Sequence, residues 1–276
     1  MSLCALERQS QPSQAGWIAT ALGANSHILD DALLLGLANR AAAILSPHFD
    51  DACFSLGSFL AQLPGAHLIN VFTHGEHLAR DNLKAFTHDQ HVVHAIRDSE
   101  DTQFAARHGL KRHDLGCEEP VLRGRRPNNL SGLDDDRRQV LQPIRECLIK
   151  LARRMEHGAR PLLFAPMGVG GHVNHRAVAA TVLDLLPLLS LHYDVFLYEE
   201  LPYARSALAR LGAVRRARAA AALTDRFVYR TRWESKRELL GLYASQFRTR
   251  PRASAFRPAA PLTPFSHEAF WSVTRG

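Results

Sequence analysis

The chain has 276 residues, 46% hydrophobic, with a formal net charge of +7, a length that fills one core and leaves little for two. The charge is uneven: 15 Arg and Lys stand against 4 Asp and Glu from Leu201 to Gly276, while the first 200 residues carry 19 against 23. Cysteines at 4, 53, 117 and 147 make no close pair and no Cys-x-x-Cys, and no apolar leader opens the chain, which argues against a disulfide framework, a thiolate zinc site and secretion.

In chain order, the first 35 or so residues are ambiguous, with Trp17 and the Leu33–Leu37 group read as capping helices. The run Ala41–Leu45 predicts a strand, Asp51–Gln62 a helix, and Ala66–Thr73 a second strand after the Pro64-Gly65 turn. A long helix over Gln90–His108, a short strand near Arg112–Leu115 and an Arg-, Asn- and Gly-rich loop from Arg123 to Gly132 follow. Asp134–Glu156 reads as a helix, Pro161–Ala165 as a strand, His175–Leu186 as a helix and Asp194–Tyr198 as a strand. The remainder gives helices at Ala204–Leu211 and Trp233–Phe247, a short strand at Arg226–Tyr229, and a Pro-rich surface segment from Pro251 to Pro264. This alternation predicts one Rossmann-like α/β domain over 1–276, a mainly parallel sheet with helices on both faces. Runs such as Pro161–Met167 and Leu185–Leu191 are too short to span a bilayer, so a cytoplasmic chain without membrane insertion is expected. Only four of the 34 basic residues are Lys, and no zinc finger, aromatic interleaving or Gly-x-x-Gly clamp accompanies them. No nucleic-acid partner is expected, while an anionic small substrate stays open.

The chemistry begins where the first strand ends, at Ser46-Pro47-His48-Phe49-Asp50-Asp51. Ligands of parallel sheets collect at strand carboxyl ends, where loops lead into helix N-termini. Two adjacent carboxylates repel unless a cation or a shared proton offsets them, so the cluster argues for a metal or a shared proton, or else one Asp caps the helix. A second cluster, Gly168-Val-Gly-Gly-His172-Val-Asn174-His175, again follows a strand and opens a helix. Two His and one Asp would leave an open coordination position, as catalytic zinc sites do.

The two clusters resemble the signatures of the PIG-L-like, or LmbE-like, zinc N-deacetylases: His-Pro-Asp-Asp-Glu is met by His48-Phe49-Asp50-Asp51-Ala52, and His-x-Asp-His by His172-Val173-Asn174-His175. Similarity extends through Arg97-x-x-Glu100, Tyr198-Glu-Glu-Leu-Pro-Tyr-Ala204, Lys236 and Tyr243-x-Ser245-Gln246, covering about residues 40–271 and leaving 1–39 as an extension or cap. The resemblance implies one Zn2+ per chain on His48, Asp51 and His175, with Asp50 as general base and His172 as oxyanion stabiliser in its imidazolium form. It implies Arg97, Glu200 and Tyr203 as candidates for substrate contact. It also implies Asn174, in place of an Asp, as the residue that orients His172. The expected reaction removes an acetyl group from the nitrogen of an amino sugar or its conjugate. The alternatives are an amidase of a non-sugar or thiol conjugate on the same centre, and a noncatalytic anion-binding or scaffold protein. The sugar, its aglycone and the oligomeric state are not legible.

Overall fold

Two short apolar runs lie side by side in the centre of the sheet: β2 (Ala42–Ser46) and β5 (Leu162–Pro166) pair in parallel with Ala43 opposite Leu163, and both are buried throughout. The computed structural model describes residues 25–79, 89–155, 158–248, 251–252, 256 and 265–275. Its other strands are β1 (Asn25–Ile28), β3 (His67–His74), β4 (Lys111–Glu118), β6 (Asp194–Tyr198), β7 (Ala222–Arg232) and β8 (Phe265–Thr274). They form one sheet in the order β1-β7-β8-β6-β5-β2-β3-β4, parallel except that β8 runs against both β6 and β7. Among the described residues the α-helices are α1 (Asp31–Ala38), α2 (Asp51–Leu60), α3 (Gln90–His108), α4 (Leu133–Met155), α5 (Val173–Leu189), α6 (Ala207–Ala220) and α7 (Trp233–Leu240).

Burial explains the layers. All ten residues of α2 are buried, because the helix lies between the sheet and α7, and Gly57 lets Leu239 approach to 3.3 Å of where a Cβ would stand. Phe59, Phe164, Phe196 and Phe270 pack mostly edge-on at centroid distances of 5.0 to 5.5 Å in the core, each ring contributing about 1.5–3 kcal/mol by leaving water. The long α3 begins on an Asp89 cap, whose side chain accepts from His91 N–H, and ends on Gly109 at φ 64°. Among the described residues no helix is long and apolar enough to cross a membrane. Cys53, Cys117 and Cys147 are free.

Several expectations are corrected. The sequence gives no strand before residue 41 and none after Tyr229, yet β1 and β8 are both present. The strand expected at Arg226–Tyr229 extends over Ala222–Arg232, since pairing with β8 holds its charged alternate residues in register. The helix expected over Ala204–Leu211 is a short turn at Tyr203–Arg205 followed by α6, which Ser206 caps by accepting from Ala209 N–H. That expected over Trp233–Phe247 ends at Leu240 and passes into a 3-10 turn, Gly241–Gln246, broken at Tyr243. Trp17, Glu156 and most of Pro251–Pro264 lie outside the described residues.

Candidate metal centre and active site

The parallel pairing of β2 with β5 puts both motif-bearing loops at the same end of the sheet. Ser46 closes the first of them: its hydroxyl donates to His48 O at 2.5 Å and accepts from Ala52 N–H at 2.9 Å. The turn folds His48 back over Asp51, whose Oδ2 lies 2.9 Å from His48 Nδ1 and 3.3 Å from His175 Nε2. His48, Asp51 and His175 offer ligand atoms that all lie within 4.8 Å of one another, a buried donor set of two imidazoles and a carboxylate suited to a metal ion. Burial works against a charged Asp51, but His175 and the His48 side-chain bond outweigh it and hold its carboxyl well below the usual range. Burial likewise opposes charge on His175, yet Asp51 and then Glu200 raise its pKa to about 9. The anionic surroundings that would keep a proton on His175 are those that would hold a cation in its stead.

Asp50 occupies the N-cap position of α2 without making a side-chain cap bond, so helix capping does not account for it. Its carboxylate faces the pocket, with Oδ1 3.5 Å from Arg97 Nη2. Burial, followed by repulsion from Asp51, raises its pKa against the pull of Arg97 and His48. Arg97 is buried, donates to Glu119 Oε1 at 2.8 Å, and lies over the ring of Phe49, the residue that replaces the proline of the motif. Glu119 follows β4 and reaches Arg97 through a space that only glycine leaves, since a Cβ on Gly75 would stand 2.2 Å from Glu119 Oε1.

The second loop turns at Gly168 and Gly170, both at positive φ. A Cβ on Gly170 would press within 3.2 Å of the Tyr203 ring, which stands edge-on to His175 at 5.3 Å. Tyr203 lines the pocket. Glu200 does not: it is fully buried and accepts from the backbone N–H groups of Met167, Gly168 and Val169, with Oε1 3.4 Å from His175 Nδ1. It fixes the loop and backs His175, because three amides converging on a dry carboxylate leave it no path to substrate.

His172 lines the pocket with its ring centroid 4.8 Å from that of His48 and 5.2 Å from that of His175. Its Nδ1 accepts from Asn174 N–H at 3.3 Å, which puts the ring N–H on Nε2. Burial and the two neighbouring imidazoles lower its pKa to about 2, so the imidazolium expected there is replaced by a neutral N–H donor. Asn174, expected to orient His172 by its side chain, points its Nδ2 at His48 Nε2 instead, 2.9 Å away.

His48, Asp50, Asp51, Arg97, Glu119, His172 and Tyr203 line one cavity of about 670 Å³. Its far wall is aromatic: Phe54 packs against Phe247 and Phe256 at 5.3 and 5.5 Å. The sequence reading missed Glu119 and this wall. Glu119 could have been flagged, since it follows a strand as His48 and Gly168 do; the phenylalanines are brought together only by tertiary packing.

No protein-family model matches the chain. The 2'-N-acetylparomamine deacetylase of Streptomyces fradiae is 30% identical over 169 residues, 58% of this chain and 57% of that protein. A deacetylase of the teicoplanin biosynthetic pathway superposes with a TM-score of 0.63 at 18% identity, over 86% of this chain and 99% of its own. The A40926 pseudoaglycone deacetylase Dbv21 does so with a TM-score of 0.59 at 19% identity, covering 86% and 98%. The chain has a deacetylase fold. The resemblance to the LmbE-like deacetylases, read first from two short motifs, therefore extends to the architecture that carries them. In this fold His48 and Asp50 lie on the loop after β2, and Asp51 and His175 on the first turns of α2 and α5, at one end of the sheet.

Proposed function

We propose that the chain is a zinc-dependent N-deacetylase acting on an N-acetylated amino sugar within a larger conjugate. The observation that carries this reading is the convergence of His48, Asp51 and His175 within 4.8 Å of one another, beside an Asp50 that makes no side-chain cap bond and lines the cavity with His48 and Asp51. Bound there, zinc would lower the pKa of a water and polarise an amide carbonyl. Asp50 is placed to take the proton of the attacking water and to return it to the departing nitrogen as the C–N bond breaks, giving acetate and a free amine. His172 Nε2–H supplies a neutral donor to the developing oxyanion. Arg97 and Glu119, held together, form a polar pair at the pocket wall suited to sugar hydroxyls.

The lining also bears on the substrate. Among its described residues Arg97 is the sole Arg or Lys, already paired with Glu119, whereas Asp50, Asp51, Glu76 and Glu119 are carboxylates. Arg210 and Arg226, from the basic final third, are buried against Glu199 on another part of the fold. This favours a sugar bearing further amino groups over an anionic conjugate, in keeping with an N-acetylparomamine deacetylase as relative. One of the structural neighbours is described in a zinc-inhibited form, so the level of metal matters to the test. Protein loaded with one equivalent of zinc, and separately with cobalt or excess zinc, is incubated with N-acetylated aminocyclitol pseudodisaccharides, glycopeptides and simple N-acetyl amino sugars. Acetate and free amine released in equal amounts are expected, with the amine-rich sugars cleaved fastest; no release from any of them overturns the proposal.

A further inference from the structure

Asn174 is fully buried on the first turn of α5, between His172 and His175, and its side-chain amide faces His48 and neither of them. Its Nδ2 lies 2.9 Å from His48 Nε2, while its Oδ1 is buried without a hydrogen-bond partner. A neutral imidazole carries one N–H, so the two nitrogens of His48 have linked roles. With Nδ2 donating to Nε2, the His48 proton must sit on Nδ1, where it bonds to Asp51 Oδ2 at 2.9 Å. That arrangement satisfies His48 but orphans the amide oxygen in a dry site, and it leaves Nδ1 no lone pair for a metal. Turning the amide by half a revolution reverses every role: Oδ1 accepts the Nε2–H, and the Nδ1 lone pair faces Asp51 Oδ2. Two acceptors at that distance repel each other unless a cation lies between them.

We propose that Asn174 is a positioning residue for His48, its carbonyl holding the proton on Nε2 so that Nδ1 is free for the metal. The inference rests on the reading of His48 as a ligand. His175 has the corresponding arrangement, with Nε2 toward Asp51 and Nδ1 toward Glu200. The two imidazoles are thus backed differently, His175 by a carboxylate and His48 by an amide that can face either way. An outer partner of this kind is worth about 10- to 100-fold in metal affinity.

The test measures zinc affinity by chelator competition in wild type, Asn174→Leu and Asn174→Asp, and the His48 tautomer by 15N NMR of metal-free and zinc-loaded wild-type protein. Asn174→Leu removes the acceptor at similar volume and should bind zinc about 10- to 100-fold more weakly. Asn174→Asp keeps an acceptor and should bind at least as tightly as wild type. His48 should carry its proton on Nδ1 without metal and on Nε2 with zinc. A folded Asn174→Leu protein with wild-type affinity, an Asp variant as weak as the Leu variant, or one His48 tautomer in both states overturns the proposal; if Asn174→Leu does not fold, an Asn174→Asp protein that binds zinc more weakly than wild type overturns it. None of these readouts depends on turnover, so they separate this inference from failure of the deacetylase reading.

Discussion

Adjacent aspartates at the start of α2 have different surroundings: Asp51 lies between two imidazoles, and Asp50 faces the cavity and an arginine. Asp50→Asn should therefore retain zinc and lose about two to four orders of magnitude in kcat, the scale of a positioned general base. His175→Ala should lose the metal itself; metal analysis and turnover on the same preparations distinguish the two outcomes. Glu200→Gln replaces one of the oxygens that receive the amides of Met167, Gly168 and Val169 and removes the charge behind His175. It should weaken zinc binding about tenfold or more, read by chelator competition, with a smaller effect on the Michaelis constant of reloaded enzyme. That His48, Asp51 and His175 come together was legible because the two motifs that carry the resemblance both stand at strand ends. Glu200 was read as a substrate neighbour because spacing after a strand gives proximity to a site but not the side from which the side chain approaches it. Asn174 was assigned to the wrong histidine for a related reason: sequence adjacency to His172 says nothing of the direction an Asn side chain takes from the first turn of a helix.

The elements that carry the site were legible wherever a single packing environment produced the pattern. β2, β5 and β6 are buried strands flanked by helices and read as apolar runs, and α3 and α5 lie close to their expected bounds. β8 escaped notice because Phe265–Thr274 follows a Pro-rich stretch and mixes Ser, His and Glu with its apolar residues. One of those, Glu268, is fully buried and pairs with the equally buried Lys236 of α7 while accepting from the Ser58 and Phe59 amides of α2. Such a strand is apolar only once its charges are compensated from elsewhere in the fold, which no local window reveals. The junction of β3 and β4 offers a test at this scale, since Glu119 N–H donates to His74 O at 2.8 Å and its side chain crosses over Gly75. Gly75→Ala should destabilise the protein by about 1–3 kcal/mol through overpacking and should disturb the Arg97 pair. Gly241→Ala, which places a methyl where nothing lies within 4 Å, serves as the neutral control in urea unfolding.

Across the whole molecule, stability should depend on pH through a histidine pair far from the chemistry. His67 on β3 and His113 on the edge strand β4 stack at 5.0 Å, with Nδ1 of the first 2.8 Å from Nε2 of the second. Burial, then His113, Lys111 and Arg154, lower the His67 pKa to about 4. A histidine so depressed binds fewer protons in the folded chain than in the unfolded one, so its contribution is full above the ordinary value of about 6.5 and is lost as pH falls toward 4. His67→Phe keeps the stacking and removes the proton, and should narrow the difference in unfolding free energy between pH 7 and pH 4.5 by on the order of 1 kcal/mol, discounted for the half-exposed ring. An undiminished difference in denaturant titrations at the two pH values would count against this assignment. A different consequence follows from the sheet order. β8 is the last strand in chain order, yet it sits between β6 and β7 and joins the β1-β7 ribbon to the remaining strands. On a ribosome, the strands on either side of it emerge first and must wait with unpaired edges, so a nascent chain arrested before residue 265 presents two open templates for association with other chains, and the sheet is completed only once that segment has emerged.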